Sequence, residues 1–164
     1  EPTSAQPTAT ELDAVTASAL ETFRLEAQAK SIELRFSAPT TSAPIDPRLF
    51  RLIAEALIAN AVRFTPLHGQ VDVSVDYDER VGGDAEGRGI VRLTVRDSGM
   101  GISAADIERI FDPFFRTEAA MRSGAPGVGL GLPILKRILD AHDGTIQVQS
   151  ELGGGTTVTV ELPM

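Results

Sequence analysis

The 164-residue chain contains no cysteine and no tryptophan, one tyrosine and only two histidines. Without cysteine there is no disulfide framework and no thiolate metal centre, a composition suited to a reducing compartment. Basic residues are in deficit as well: 15 Lys and Arg stand against 23 Asp and Glu, for a formal net charge of −8. That balance speaks against non-specific binding to nucleic acid or to an anionic membrane face, both of which need a cationic surface. A nucleotide site remains open, because a local pocket can be basic or metal-assisted inside an acidic protein. No apolar run approaches the length of a membrane span. The opening EPTSAQPTAT has no Met and no apolar stretch of the signal-peptide kind. Rich in Pro, Thr and Ala, it reads as a linker over residues 1–10, which leads us to expect a segment of a longer protein. Two common nucleotide signatures are missing too. The P-loop pattern GxxxxGK[ST] does not occur, and the glycines at 124–131 follow an irregular stretch where a Rossmann fingerprint needs a strand.

What is present is a succession of helical and extended patterns, enough for one domain with a substantial core. Leu12, Val15, Ala19, Phe23 and Ala27 recur every three or four positions, which predicts one amphipathic helix over 11–30. IELRFSA (32–38) alternates like a strand. Asp46 followed by Pro47 is an N-cap with proline at the first helical position, and predicts a long helix through RLFRLIAEALIANAVRFT, ended by Pro66 and Gly69. QVDVSVDYD and IVRLTVRD alternate as two strands, joined as a hairpin by the glycine-rich, charged ERVGGDAEGRG. Ser103 caps a short helix in SAADIERIF. Residues 112–126 have no clean period. A final helix over 132–141 precedes GTIQVQSE and GTTVTVEL, two more alternating strands joined by LGGG. Helices combined with antiparallel hairpins predict an α+β sandwich, one sheet with helices on one face.

Four stretches raise chemical questions. GAPGVGLGLPILKR places four glycines at the start of a helix, where they serve either a mobile loop or a cradle of N–H groups facing an anion. Asn60 lies beside the apolar stripe of Leu49, Ile53, Leu57 and Ala61; its amide is either satisfied by backbone or an oxygen ligand for Mg²⁺. In DSGMGIS, Asp97 ends an apolar strand, and Gly99 and Gly101 let the backbone pass close to a flat ligand. Asp97 is either part of a simple turn or an acceptor for an exocyclic amine such as that of adenine. IFDPFFR gathers Phe111, Phe114 and Phe115 into a small satellite core that pins a loop end.

Taken in order and approximate spacing, NAVRFTP, DSGMGI, IFDPFFR, GVGLGL and GGGT resemble the asparagine, first glycine, phenylalanine, second glycine and third glycine boxes of sensor histidine kinases. Over about residues 12–163 the chain resembles their ATP-binding catalytic domain, of the superfamily shared with gyrase, Hsp90 and MutL. The phenylalanine box favours histidine kinases within that superfamily. The resemblance implies a two-layer α/β sandwich of the Bergerat type over residues 11–164, with a mostly antiparallel sheet and an ATP lid at about 112–126. It implies ATP and Mg²⁺ as cofactors. Asn60 would hold the Mg²⁺ that bridges the triphosphate, Arg63 would reach a phosphate, and Phe64 would pack near the nucleotide. Asp97 would accept from the adenine amine, with Gly99, Gly101 and Ile102 lining the base and Thr156 on the same side. Arg116 would contact phosphate from the lid. Gly127, Val128, Gly129, Leu130 and Gly131 would be hinge and N–H cradle at once.

The same resemblance implies transfer of the γ-phosphate to a histidine on a separate dimerisation domain, and from there to a response-regulator receiver domain. His68 in a turn and His142 at a helix end do not match the phosphoacceptor position, so the chain is expected to bind ATP, to be monomeric and not to phosphorylate itself. A cytoplasmic domain is implied, in a parent that a membrane can anchor. Two positions depart from the pattern. Ala56 stands where many members carry a second Asn one turn before the metal ligand, and Glu55 beside it points roughly 140° away from Asn60 at about 100° per residue. Val158 stands where Phe is frequent, a variation in packing. Two alternatives follow: a serine kinase and binding module of the anti-sigma-factor type, and a nucleotide-binding pseudokinase, the latter motivated by Ala56.

Overall fold

Alternation in the strands produces a sheet with one apolar and one polar face. The computed structural model describes residues 9–39, 41–79, 88–117, 120–121 and 131–164. In chain order the elements are β1 (Thr10–Glu11), α1 (Leu12–Thr22), α2 (Arg24–Ala29), β2 (Glu33–Ser37), β3 (Ser42–Ala43) and α3 (Pro47–Phe64). They continue with β4 (Gln70–Asp78), β5 (Ile90–Asp97), α4 (Ala104–Ile107), α5 (Gly131–Ala141), β6 (Thr145–Ser150) and β7 (Thr156–Pro163). The main sheet has the order β2-β4-β5-β7-β6; β2 runs parallel to β4 and every other pair is antiparallel. β1 and β3 form a separate short ladder.

Register explains the two faces. Val73, Val95, Val158 and Val148 stand in one row across β4, β5, β7 and β6, and Val75, Leu93, Val160 and Ile146 in the next. Successive residues of a strand point to opposite faces, so the row between them turns the other way. There Ser74, Thr94, Thr159 and Gln147 are aligned, and the next row on that polar face aligns Asp76, Arg92 and Glu161, with Arg92 3.4 Å from Asp76 and 3.2 Å from Glu161. The apolar rows pack under the helices, α3 above all, whose Phe50, Ile53, Ala54, Leu57, Ile58, Ala61 and Val62 are buried. α3 is secured at both ends. Asp46 accepts the N–H of Arg48 at 2.7 Å with Pro47 in the first turn. At the other end the Thr65 hydroxyl donates to the Ala61 carbonyl at 2.7 Å, and Lys30 Nζ donates to the carbonyls of Val62 and Arg63.

The α+β sandwich and the β4–β5 hairpin are as expected from the sequence, and three details differ. The helix expected over 11–30 breaks at Phe23, whose φ of −107° and ψ of 5° redirect the chain so that Phe23 packs on the core and Ala27 is buried in it. Ser103 does cap a helix, accepting the N–H of Asp106 at 3.2 Å, but the helix stops at Ile107 and gives way to turns. Thr10, counted with the linker, is buried, pairs with Ala43 and donates its hydroxyl to the Ile45 carbonyl, so the fold begins before residue 11.

Candidate nucleotide site

Between α3, the start of α5 and one end of the sheet lies a cavity of about 310 Å³. Its floor is apolar, made by the sheet row Val95, Val158 and Val148, with Leu57 and Ala61 of α3 beside them. Polar groups reach it from two sides.

On the sheet side, the terminal inward-facing row aligns Asp97, Thr156 and Ser150. The Asp97 carboxylate accepts the N–H of Gly99 at 2.8 Å and the backbone N–H of Thr156. Burial pushes its pKa above the ordinary value of 3.8, and these two hydrogen bonds oppose the shift. Two turns meet here backbone to backbone. Gly101 has φ +71° and Gly155 φ +79°, both in the left-handed region. A Cβ on Gly101 would strike the carbonyl of Glu151, and one on Gly155 would strike the carbonyl of Asp97. The N–H of Gly153 donates to the Met100 carbonyl at 2.8 Å and completes the junction.

On the helix side, Asn60, Arg63 and Phe64 line the cavity from the last turns of α3. Gly131 opens α5 so close by that a Cβ on it would lie 3.9 Å from Asn60 Oδ1. The N-terminus of an eleven-residue helix therefore faces the Asn60 amide. Among the described residues that amide has no hydrogen-bond partner, and Arg63 Nε is buried with none either. A buried donor left unpaired is costly, so such a group marks an unmet requirement of the site. Phe115, Arg116 and Thr117 close the cavity; the Arg109 guanidinium stacks 4.4 Å from the centre of the Phe115 ring.

Of the residues expected from the sequence, the structure brings Asn60, Arg63, Phe64, Asp97, Gly101, Ile102, Arg116, Gly131 and Thr156 to the lining of one cavity. Gly99 is buried next to the cavity lining and donates its N–H to the Asp97 carboxylate. Gly127, Val128, Gly129 and Leu130 lie outside the described residues, as does much of the 112–126 stretch. The three phenylalanines do not act as one cluster. Phe115 lines the cavity, Phe111 is half-buried, and Phe114, with φ +65°, is 71% exposed. Ala56 packs against the core instead of lining the cavity, and Glu55 is held by Arg51 at 2.9 Å. Sequence reasoning missed the apolar floor. The signal was available: Val95, Val158 and Val148 each stand two residues inward from Asp97, Thr156 and Ser150, and so share their face.

Residues 45–164 match the family described as histidine kinase-, DNA gyrase B-, and HSP90-like ATPase. The chain is 34% identical over 149 residues to the histidine protein kinase DivJ of Caulobacter vibrioides, a match covering 89% of this chain and 23% of that protein. It is 35% identical over 119 residues to the sensor histidine kinase WalK of Bacillus subtilis, covering 73% of this chain and 18% of that one. The chain thus spans less than a quarter of either kinase. Among solved structures, full-length ShkA in complex with AMPPNP is 29% identical, with a TM-score of 0.76 over 95% of this chain and 30% of that one. The mycobacterial sensor histidine kinase MprB shares the fold, with a TM-score of 0.73 at 24% identity over 95% of this chain and 96% of that one. No helix among the described residues is long and apolar enough to cross a membrane. With its fold, its cavity and these likenesses together, the chain belongs to the histidine kinase-, DNA gyrase B- and HSP90-like ATPase family and corresponds to the ATP-binding catalytic domain of sensor histidine kinases.

Proposed function

We propose that the chain binds ATP with Mg²⁺ in this cavity and, together with a histidine-bearing dimerisation domain of its parent protein, transfers the γ-phosphate to that histidine. One observation carries the reading: a single apolar cavity is lined by both the half-buried acceptor Asp97 and Arg63, whose buried Nε has no partner among the described residues. An apolar slot ending in an acceptor suits a flat base with an exocyclic amine. An unpaired guanidinium N–H, an amide oxygen and a helix N-terminus suit a polyphosphate and its metal.

Bound beside Asn60, Mg²⁺ would neutralise phosphate charge during transfer. The chain's own residues supply the rest. Asp97 accepts from the base amine, Arg63 donates to a phosphate oxygen, and Asn60 Oδ1 offers one metal ligand. The N–H groups that open α5 face the anion. Phosphoryl transfer needs positioning and charge neutralisation more than covalent help from the protein. A nitrogen of the acceptor imidazole bonds to the γ-phosphorus while the bond to the β–γ bridging oxygen breaks. ADP leaves with that electron pair, and the imidazole proton passes to a base outside this chain. The phosphoryl group then moves to a response-regulator receiver domain. We place the domain in the cytoplasm, where ATP is.

Calorimetric titration of Mg²⁺-ATP into the chain, followed by addition of the parent's histidine-bearing domain and detection of acid-labile phosphate, tests this reading. Saturable binding followed by transfer is expected. Absence of ATP binding overturns it, and binding without transfer converts it to the pseudokinase that Ala56 suggests.

A further inference from the structure

Ser150, the last residue of β6, does not line the cavity, yet its hydroxyl holds three groups around it. It accepts the N–H of Ile102 at 2.8 Å, donates to the carbonyl oxygen of Gly155 at 2.8 Å, and lies 2.9 Å from Thr156 Oγ1. A hydroxyl has one proton. A carbonyl oxygen can only accept, so the Ser150 proton is committed to Gly155. The Thr156 hydroxyl must therefore donate its own proton to Ser150, and it has no other partner among the described residues. What Thr156 offers to the cavity is then lone pairs alone. Asp97, aligned with it in the same sheet row, offers a carboxylate.

We propose that Ser150 is a specificity-determining positioning residue: by fixing Thr156 as an acceptor beside Asp97, it makes the cavity select a base with an amino group over one with a keto oxygen at the same place. The inference rests on the nucleotide reading of the cavity and goes beyond it to how the base is discriminated. An amino group brings protons to both acceptors. A keto oxygen meets two acceptors with no proton between them, and that repulsion, more than a missing attraction, is what rejects it. Ser150 also braces the turns at Ile102 and Gly155, a structural role that would weaken all nucleotides alike. The two roles are therefore separable.

The experiment is to titrate ATP and inosine triphosphate, which carries a keto oxygen in place of the amino group and a proton on the neighbouring ring nitrogen in every titration alike, into the wild-type chain, Ser150→Ala, Ser150→Thr, Thr156→Val and the Ser150→Ala/Thr156→Val pair. The wild-type chain should prefer ATP. In Ser150→Ala the freed Thr156 hydroxyl turns to donate, so the ATP-to-inosine preference should fall about tenfold, the worth of one hydrogen bond changing sign, with the inosine nucleotide gaining in absolute affinity. Ser150→Thr keeps the hydroxyl and should keep the preference. Thr156→Val removes one acceptor and should lower the preference, after which Ser150→Ala should lower it no further. If melting shows Ser150→Ala unfolded, Thr156→Val against wild type decides: an unchanged preference there overturns the proposal. Equal weakening of both nucleotides in a folded Ser150→Ala also overturns it, while leaving the nucleotide reading intact. A wild-type chain that binds neither nucleotide overturns both.

Discussion

On the sheet side of the cavity every polar group is tied to another part of the chain: Asp97 to Gly99 and Thr156, Thr156 to Ser150, Ser150 to Ile102 and Gly155. On the helix side, Asn60 and the Nε of Arg63 have no partner among the described residues. The first arrangement is complete without a ligand and leaves acceptors in fixed directions, which is how a site discriminates. The second is unsatisfied until something anionic arrives, which is how a site gains affinity and how a ligand stabilises a fold. Substitutions on the two sides should therefore separate binding from stability in different ways.

Asp97→Asn should have the largest effect. Losing a charged acceptor in a desolvated slot costs about 3 kcal/mol, so ATP affinity should fall about 100-fold. Stability should move the other way. The folded state raises the Asp97 pKa above 3.8, chiefly by burial. The native chain thus holds that proton to a higher pH than the unfolded chain, and ionised Asp97 subtracts stability as pH rises through the interval above 3.8. Asn carries no such charge and can still accept from Gly99. The variant should melt at or above the wild-type temperature at neutral pH, with the advantage disappearing in acid below the ordinary aspartate value. A variant that loses melting temperature at neutral pH would show that the two hydrogen bonds, and not burial, dominate the carboxylate.

Gly155→Ala should come next and act on the fold itself. Its Cβ would enter the Asp97 carbonyl at a left-handed φ of +79°, a cost of about 2 kcal/mol seen in denaturant unfolding. Arg63→Met contrasts with both. It removes a buried, unpartnered Nε, so the ligand-free chain should be no less stable, while ATP affinity falls about tenfold for one charged hydrogen bond. Stability loss in ligand-free Arg63→Met would mean that the helix side is already satisfied, and the contrast between the two sides would fail.

Legibility in the sequence follows the same division. Local rules reached everything that local chemistry decides: Asp46–Pro47 opening α3, the alternation of β4 and β5, and the Ser103 cap. Asn60, Arg63 and Phe64 were visible because helical spacing alone puts them on adjoining turns. What escaped depends on register. Nothing in GTIQVQSE announces that Ser150 lies beside Thr156, because that pairing is made by the β6–β7 ladder and the junction of two turns remote in sequence. Phe23 escaped for a related reason: the apolar repeat runs straight through it, and only the packing against the sheet shows that the chain must bend there.

Lys30 joins the two kinds of construction, and its effect should be the smallest. Its Nζ donates to the carbonyls of Val62 at 2.8 Å and Arg63 at 3.1 Å, groups that the end of α3 leaves without helical partners. Burial lowers its pKa, as expected for an ammonium drawn against backbone in place of water. Lys30→Met keeps the apolar stem and loses the donors, which should cost about 1 kcal/mol of stability. Since Arg63 belongs to the turn that Lys30 holds, ATP affinity should fall as well, by about twofold if the side chain is only loosened. The double variant with Arg63→Met decides what that small loss means. If the affinity change vanishes in the double variant while the stability change persists, Lys30 acts on the site through Arg63. Should both persist, Lys30 supports α3 generally, and the helix side owes its geometry to the core packing of Leu57, Ile58 and Ala61.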